Sequence, residues 1–286
     1  AEPPPLLFLA FDGLPAADKL TAKVREFSAA LAADPTTQAC ALSEQEAAGG
    51  LTRLLALLPA TTQGSGTPLA LTPELVALLA KMLGWPAAQL FPALDVARLL
   101  ALHAQGAAAL TPLTTPGAPL AQAIQVAAGG TAAAALQLAL RVACNAFKHT
   151  PLQTWVTVAR GDMLDAFSAS AAHPNKAVRL SWATLLYNFS VLSRQQATAV
   201  EDEAGLQVLS ALVELLGSCP TEDSDSLFRG LQAATILVGG NAVLAAVAKD
   251  LGMQDVLRRV HEAPESRTPE GRRVLEAAVQ LTAVLK

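Results

Sequence analysis

The sequence predicts an all-α protein built from repeated helices. Three observations carry this. Hydrophobic residues make up 52% of the chain while aromatics make up only 4%, so alanine supplies much of the apolar content. Alanine is the best helix former and lets helices approach closely. Apolar positions recur at helical rather than period-two spacing, so no sheet is expected. Finally, Leu102, Asn145 and Asn188 occupy like places on three apolar helices, in steps of about 43 residues, the period of armadillo or HEAT repeats. Such a solenoid counts as one domain, here residues 1–286. Proteins of this kind hold a ligand in a concave groove.

Each element has a local reason. Residues 1–15 contain Pro3, Pro4, Pro5 and Pro15 and read as an extended N-terminal segment. A helix follows over about Ala16 to Leu31. Ser43 and Glu46 form a capping box that opens the next helix, toward Leu58. Residues 60–70, with Gly64-Ser65-Gly66, read as a loop. Pro73 after Thr72 starts a helix that ends at Gly84. Pro92 opens a helix to His103 that carries Arg98. Gly106 to Leu120, rich in Gly and Pro, reads as a long mobile insertion. Strong helices are expected over Thr131–Lys148, Lys176–Leu192 and Ser224–Val238. Shorter ones fall at Leu152–Arg160, Asp162–Ala171, Glu203–Leu216, Asn241–Leu251 and Gln254–His261. Thr268-Pro269 caps a final helix.

Composition excludes several functions. The formal net charge is −4, so a general nucleic-acid role is not expected. The longest uncharged stretch, Ala104 to Leu140, is rich in Gly, Pro, Gln and Ala, unlike a membrane span. The start Ala1-Glu2-Pro3 lacks the basic and apolar regions of a secretory leader, and none is expected. Cys40, Cys144 and Cys219 are odd in number and widely spaced, which argues for a reducing compartment, cytoplasmic or nuclear, rather than a disulfide framework. His103, His149, His173 and His261 show no ligand spacing, so no metal and no cofactor is expected. No nucleophile motif is present, and Cys144 reads as an inert buried thiol. Asn188-Phe189-Ser190 lies inside a helix and is a chance match to a glycosylation acceptor.

The polar residues on apolar helices are the candidate binding groups. Arg141 and Asn145 are four apart and share a helix face, as do Thr184 and Asn188 one repeat later. An amide in such a place must find a partner: either a neighbouring loop carbonyl or the backbone of a bound peptide. Arg98 has Asp95 three residues before it, and Arg229 has Asp225 four before it. Each could form a surface ion pair, or both could point into one groove and clamp carboxylates.

Five segments, in order, resemble the PUL domain, the C-terminal module of phospholipase-A2-activating proteins. They are Gly84-Trp85-Pro86 with Gln89–Leu99, then Arg141–Phe147, Ala183–Val191, Leu227-Phe228-Arg229 and Ala248–Gly252. The resemblance implies an armadillo-like solenoid of about six repeats. It implies a partner, the acidic C-terminal tail of the hexameric AAA ATPase valosin-containing protein, with ubiquitin engaged only indirectly, and no nucleic acid or membrane. By position, the two groove arginines of the family fall on Arg98 and Arg229, with Asn145, Asn188, Arg141 and Thr184 lining the same groove. A charged hydrogen bond from each arginine would supply about 1.5–3 kcal/mol. The expectation is that Arg98→Ala or Arg229→Ala weakens tail binding by at least about tenfold, with little change in melting temperature. A different armadillo-like scaffold with another protein partner is the alternative.

Overall fold

A computed structural model describes residues 6–62, 68–196 and 201–286, and the Gly64-Ser65-Gly66 loop lies outside them. The described residues contain helices and no strand. Among the described residues no helix is long and apolar enough to cross a membrane. The chain divides into two compact units, residues 10–159 and residues 160–286 with residues 6–9.

The first unit begins with α1 (Ala17–Ala33), which buries Leu20, Val24 and Leu31 at helical spacing. The expected capping box is present: the Ser43 amide donates to Glu46 Oε2 at 2.7 Å and the Glu46 amide donates to Ser43 Oγ at 3.2 Å. It opens a wide turn, Glu46–Gly50, that runs into α2 (Leu51–Ala56) and α3 (Leu58–Thr61). Pro73 starts α4 (Pro73–Leu83), and Gly84 closes it. Gly84 has φ −82°, so the helix ends without the left-handed residue common at this position.

Then come α5 (Phe91–Leu100), α6 (Ala104–Leu110), α7 (Pro119–Gly129), α8 (Ala133–Asn145) and α9 (Thr150–Val158). The expected mobile insertion at Gly106 to Leu120 is therefore corrected: most of it is helical and packed. Gly106, Ala107, Leu110, Thr114 and Leu120 are buried. Two physical reasons override the Gly and Pro signals. A Cβ on Gly106 would lie 2.2 Å from the Leu100 carbonyl, so this glycine permits a close approach rather than loosening the chain. Pro112 and Pro119 sit in first turns, where a missing N–H costs nothing. α5 packs mainly on α8, and α7 on both α4 and α8.

The second unit holds α10 (Arg160–Phe167), α11 (Lys176–Gln195), α12 (Glu201–Ser218), α13 (Ser224–Val238), α14 (Ala242–Asp250), α15 (Met253–Glu262) and α16 (Pro269–Val284). Asn175, Asp223, Asn241 and Thr268 each cap a helix by accepting a backbone N–H, as these side chains prefer to do. α11 lies against α13 and α12, and α13 against α16. Trp182 and Phe167, both fully buried, pack with ring centroids 6.4 Å apart. Arg179 and Asp223, also buried, pair at 2.7 Å. Arg179 donates as well to the carbonyls of His173 and Pro174, so this charge ties the start of α11 to the start of α13.

Candidate functional site

The candidate residues lie on α5 and α8 in the first unit and on α11 and α13 in the second. In each unit they face the non-helical segment that belongs to that unit: residues 10–13 in the first and residues 6–9 in the second.

In the first unit, Asn145 is fully buried in the last turn of α8. Its Oδ1 accepts from the Phe11 amide at 2.7 Å, and its Nδ2 donates to the carbonyls of Phe11 and Arg98 at 2.9 and 2.8 Å. Arg98 is buried in the last turn of α5. Its Nε donates to Asp95 at 2.7 Å, and its two terminal nitrogens donate to the carbonyls of Phe11 and Gly13 at 2.8 and 2.9 Å. The Asp95 pair foreseen from sequence thus exists, but it is buried and shared with the segment. Arg141, half-buried one helical turn before Asn145, lies over the Phe11 ring at 4.5 Å. Burial pulls its guanidinium below the usual arginine range, and the nearby Arg98 charge adds to the effect. It remains a cation, as arginine does in proteins.

In the second unit, Asn188 repeats the clasp: its Oδ1 accepts from the Leu9 amide and its Nδ2 donates to the Leu9 carbonyl, both at 2.8 Å. Gln195, two turns further along α11, donates to the Leu6 carbonyl at 3.2 Å. Arg229 on α13 donates to Thr184 Oγ1 at 3.1 Å and lies over the Tyr187 ring at 5.8 Å. Asp225, the partner expected for Arg229, is bound instead by Arg273. Burial raises the Tyr187 hydroxyl above its usual value, against the opposing effect of Arg229.

One residue of backbone is therefore gripped at both its N–H and its C=O by one amide, and the gripped residues, Leu9 and Phe11, are two apart. Of the two partners open at the sequence level, the structure has the internal one: both amides bond the chain's own non-helical backbone.

Among the described residues no cluster of His, Cys, Asp and Glu could hold a metal. Cys144 is buried. Burial pushes the Cys219 thiol up to about 12, far from a reactive thiolate.

The family model of the PUL domain matches residues 4–277. This chain belongs to the PUL domain family. A curated relative, phospholipase A-2-activating protein of Xenopus laevis, is 24% identical over 198 residues, covering 65% of this chain. The PUL domain chain spans only 22% of that relative's length. Among solved structures, a PFU-PUL domain pair of Saccharomyces cerevisiae Doa1/Ufd3 covers 96% of this chain and 78% of its own, with TM-score 0.56 at 15% identity. A computationally designed armadillo repeat protein for modular peptide recognition covers 92% of this chain and 99% of its own, with TM-score 0.58 at 14% identity. These likenesses establish an all-α, armadillo-like fold. Family and fold together mark the PUL domain as a protein-interaction module.

Sequence reasoning singled out Asn145 and Asn188 as amides in need of partners, but not which atoms they meet. It missed Gln195 and Phe11. Gln195 lies in a polar helix end where no pattern marks it, and Phe11 belongs to a segment whose path only the folded helices determine.

Proposed function

We propose that this PUL domain is a non-catalytic adaptor. It holds the acidic C-terminal tail of the AAA ATPase valosin-containing protein and so links that ATPase to ubiquitin-dependent turnover in the cytoplasm or nucleus. The observation that carries the reading is the clasp of Asn145 on Phe11 and of Asn188 on Leu9: each amide holds extended backbone at both its N–H and its C=O, the way a bound peptide would be held. Arg141 and Arg229, only partly buried beside the two clasps, would meet tail carboxylates through charge-assisted hydrogen bonds. Arg98 would contribute by fixing the segment through Phe11 and Gly13, and Thr184 by orienting Arg229. The tail would bind alongside the segment or in its place. Ubiquitin enters only through the ATPase.

The test is a fluorescence anisotropy titration with a labelled tail peptide. Micromolar binding is expected, weakened about tenfold by Arg229→Ala or Arg141→Ala and weakened by added salt. A chain lacking residues 6–13 separates the two modes: tighter binding means that the segment competes, and lost binding means that it forms a wall of the site. No binding by the unaltered chain would favour a different protein partner for the same scaffold.

A further inference from the structure

The last three helices of the second unit form a groove that shares no residue with the Arg229 site. It encloses about 420 Å³ and is lined by Lys249 of α14, Gln254, Leu257, Arg258 and His261 of α15, and Thr282, Leu285 and Lys286 at the end of α16. Its lining contains no carboxylate side chain, in a chain whose net charge is −4. Lys249, His261 and Lys286 are exposed and form no ion pair among the described residues, while Arg258 pairs with Asp255. The floor is apolar: Leu257 and Leu285 are buried there. Leu251 and Val284, within two residues of the lining, are large apolar side chains left exposed at 43% and 38%.

We propose that this groove docks a second protein segment, acidic and carrying an apolar anchor. The anchor would seat over Leu257 and Leu285, and flanking carboxylates would meet Lys249, His261 and Lys286. Charge complementarity with an apolar floor selects this occupant. A broad polyanion fits less well, because Asp250, Asp255 and Glu262 stand exposed on the same helices and would repel a nucleic acid or an anionic bilayer laid across them. A narrow segment avoids them. Binding would be steered by charge and held by the anchor.

The probe is a synthetic peptide of alternating Glu and Leu with a central benzophenone, used with the full chain. Photo-adducts mapped by mass spectrometry are expected on α15 and the end of α16. Lys249→Glu/Lys286→Glu should weaken anisotropy-measured probe binding about tenfold with the melting temperature unchanged, since both side chains are exposed. Arg229→Ala should leave adducts at the groove. The proposal is overturned if adducts fall only on α11 and α13, if the double variant binds like the unaltered chain, or if the domain sediments with phosphatidylserine vesicles through the same two residues in preference to the peptide.

Discussion

Arg98→Ala separates a structural arginine from a purely ligand-binding one. The Asp95 side chain is 13% exposed and that of Arg98 4%, so the substitution leaves a nearly buried carboxylate without its cation. It also releases the carbonyls of Phe11 and Gly13. Breaking a buried pair by removing one partner costs about 3–5 kcal/mol, and the lower figure applies where water can reach the survivor, as it reaches Asp95. At about 2–4 °C per kcal/mol for a unit of this size, the melting temperature should fall by about 6–12 °C. Arg229→Ala takes away a hydrogen bond to Thr184 and a contact with the Tyr187 ring from a partly exposed position, and should cost less than Arg98→Ala because water can solvate the groups left behind. The assay is urea unfolding of both variants beside the unaltered chain, with the midpoint shift compared at unchanged m-value. This revises the simpler expectation, drawn from sequence, that neither variant moves the melting temperature. A loss below about 1 kcal/mol for Arg98→Ala would refute the reasoning, because a buried guanidinium anchored to three groups cannot be removed so cheaply.

Other outcomes follow from the same geometry. In amide hydrogen exchange, Asn188→Ala should speed exchange at Leu9, and Asn145→Ala at Phe11, each by about ten- to hundredfold, the loss of one or two hydrogen bonds; equal effects of both variants at both amides would mean that the clasps are not separate. Gly106→Ala should cost more than about 2 kcal/mol in urea unfolding, because its Cβ would meet the Leu100 carbonyl at 2.2 Å. Gly217→Ala, with nothing within 4 Å, should stabilise by about 0.5 kcal/mol in the same assay. The Cys219 thiol is held neutral in the fold up to about pH 12 but ionises near pH 9 when unfolded. Its contribution to stability is therefore complete below that pH and lost between about pH 9 and about 12, with a slope of up to about 1.4 kcal/mol per pH unit. Urea midpoints measured from pH 8 to 10.5 should fall less steeply in Cys219→Ala.

Much of the fold was legible because its signals are local. The Ser43/Glu46 box, Pro73 before a helix and Thr268-Pro269 act within one turn, and each element begins where they place it. The α13 bounds, Ser224–Val238, follow from an unbroken apolar periodicity. The region Gly106 to Leu120 misled because glycine has two opposite uses, to loosen a chain or to let backbones touch, and composition does not distinguish them.

The candidate site divides the same way. That Asn145 and Asn188 would need partners, one repeat apart, followed from the order of residues alone, since an amide on an apolar helix must be hydrogen-bonded. Which partners they took was decided only when helices distant in the chain came together: Asn145 meets Phe11 across 134 positions, Asn188 meets Leu9 across 179, and Arg98 meets Gly13 across 85. Helix starts, stops and faces are set by neighbours three or four residues away and can be read from them. The choice of long-range partner depends on where whole helices pack, so Arg98 became a buried anchor for the segment and Arg229 stayed partly open beside Thr184.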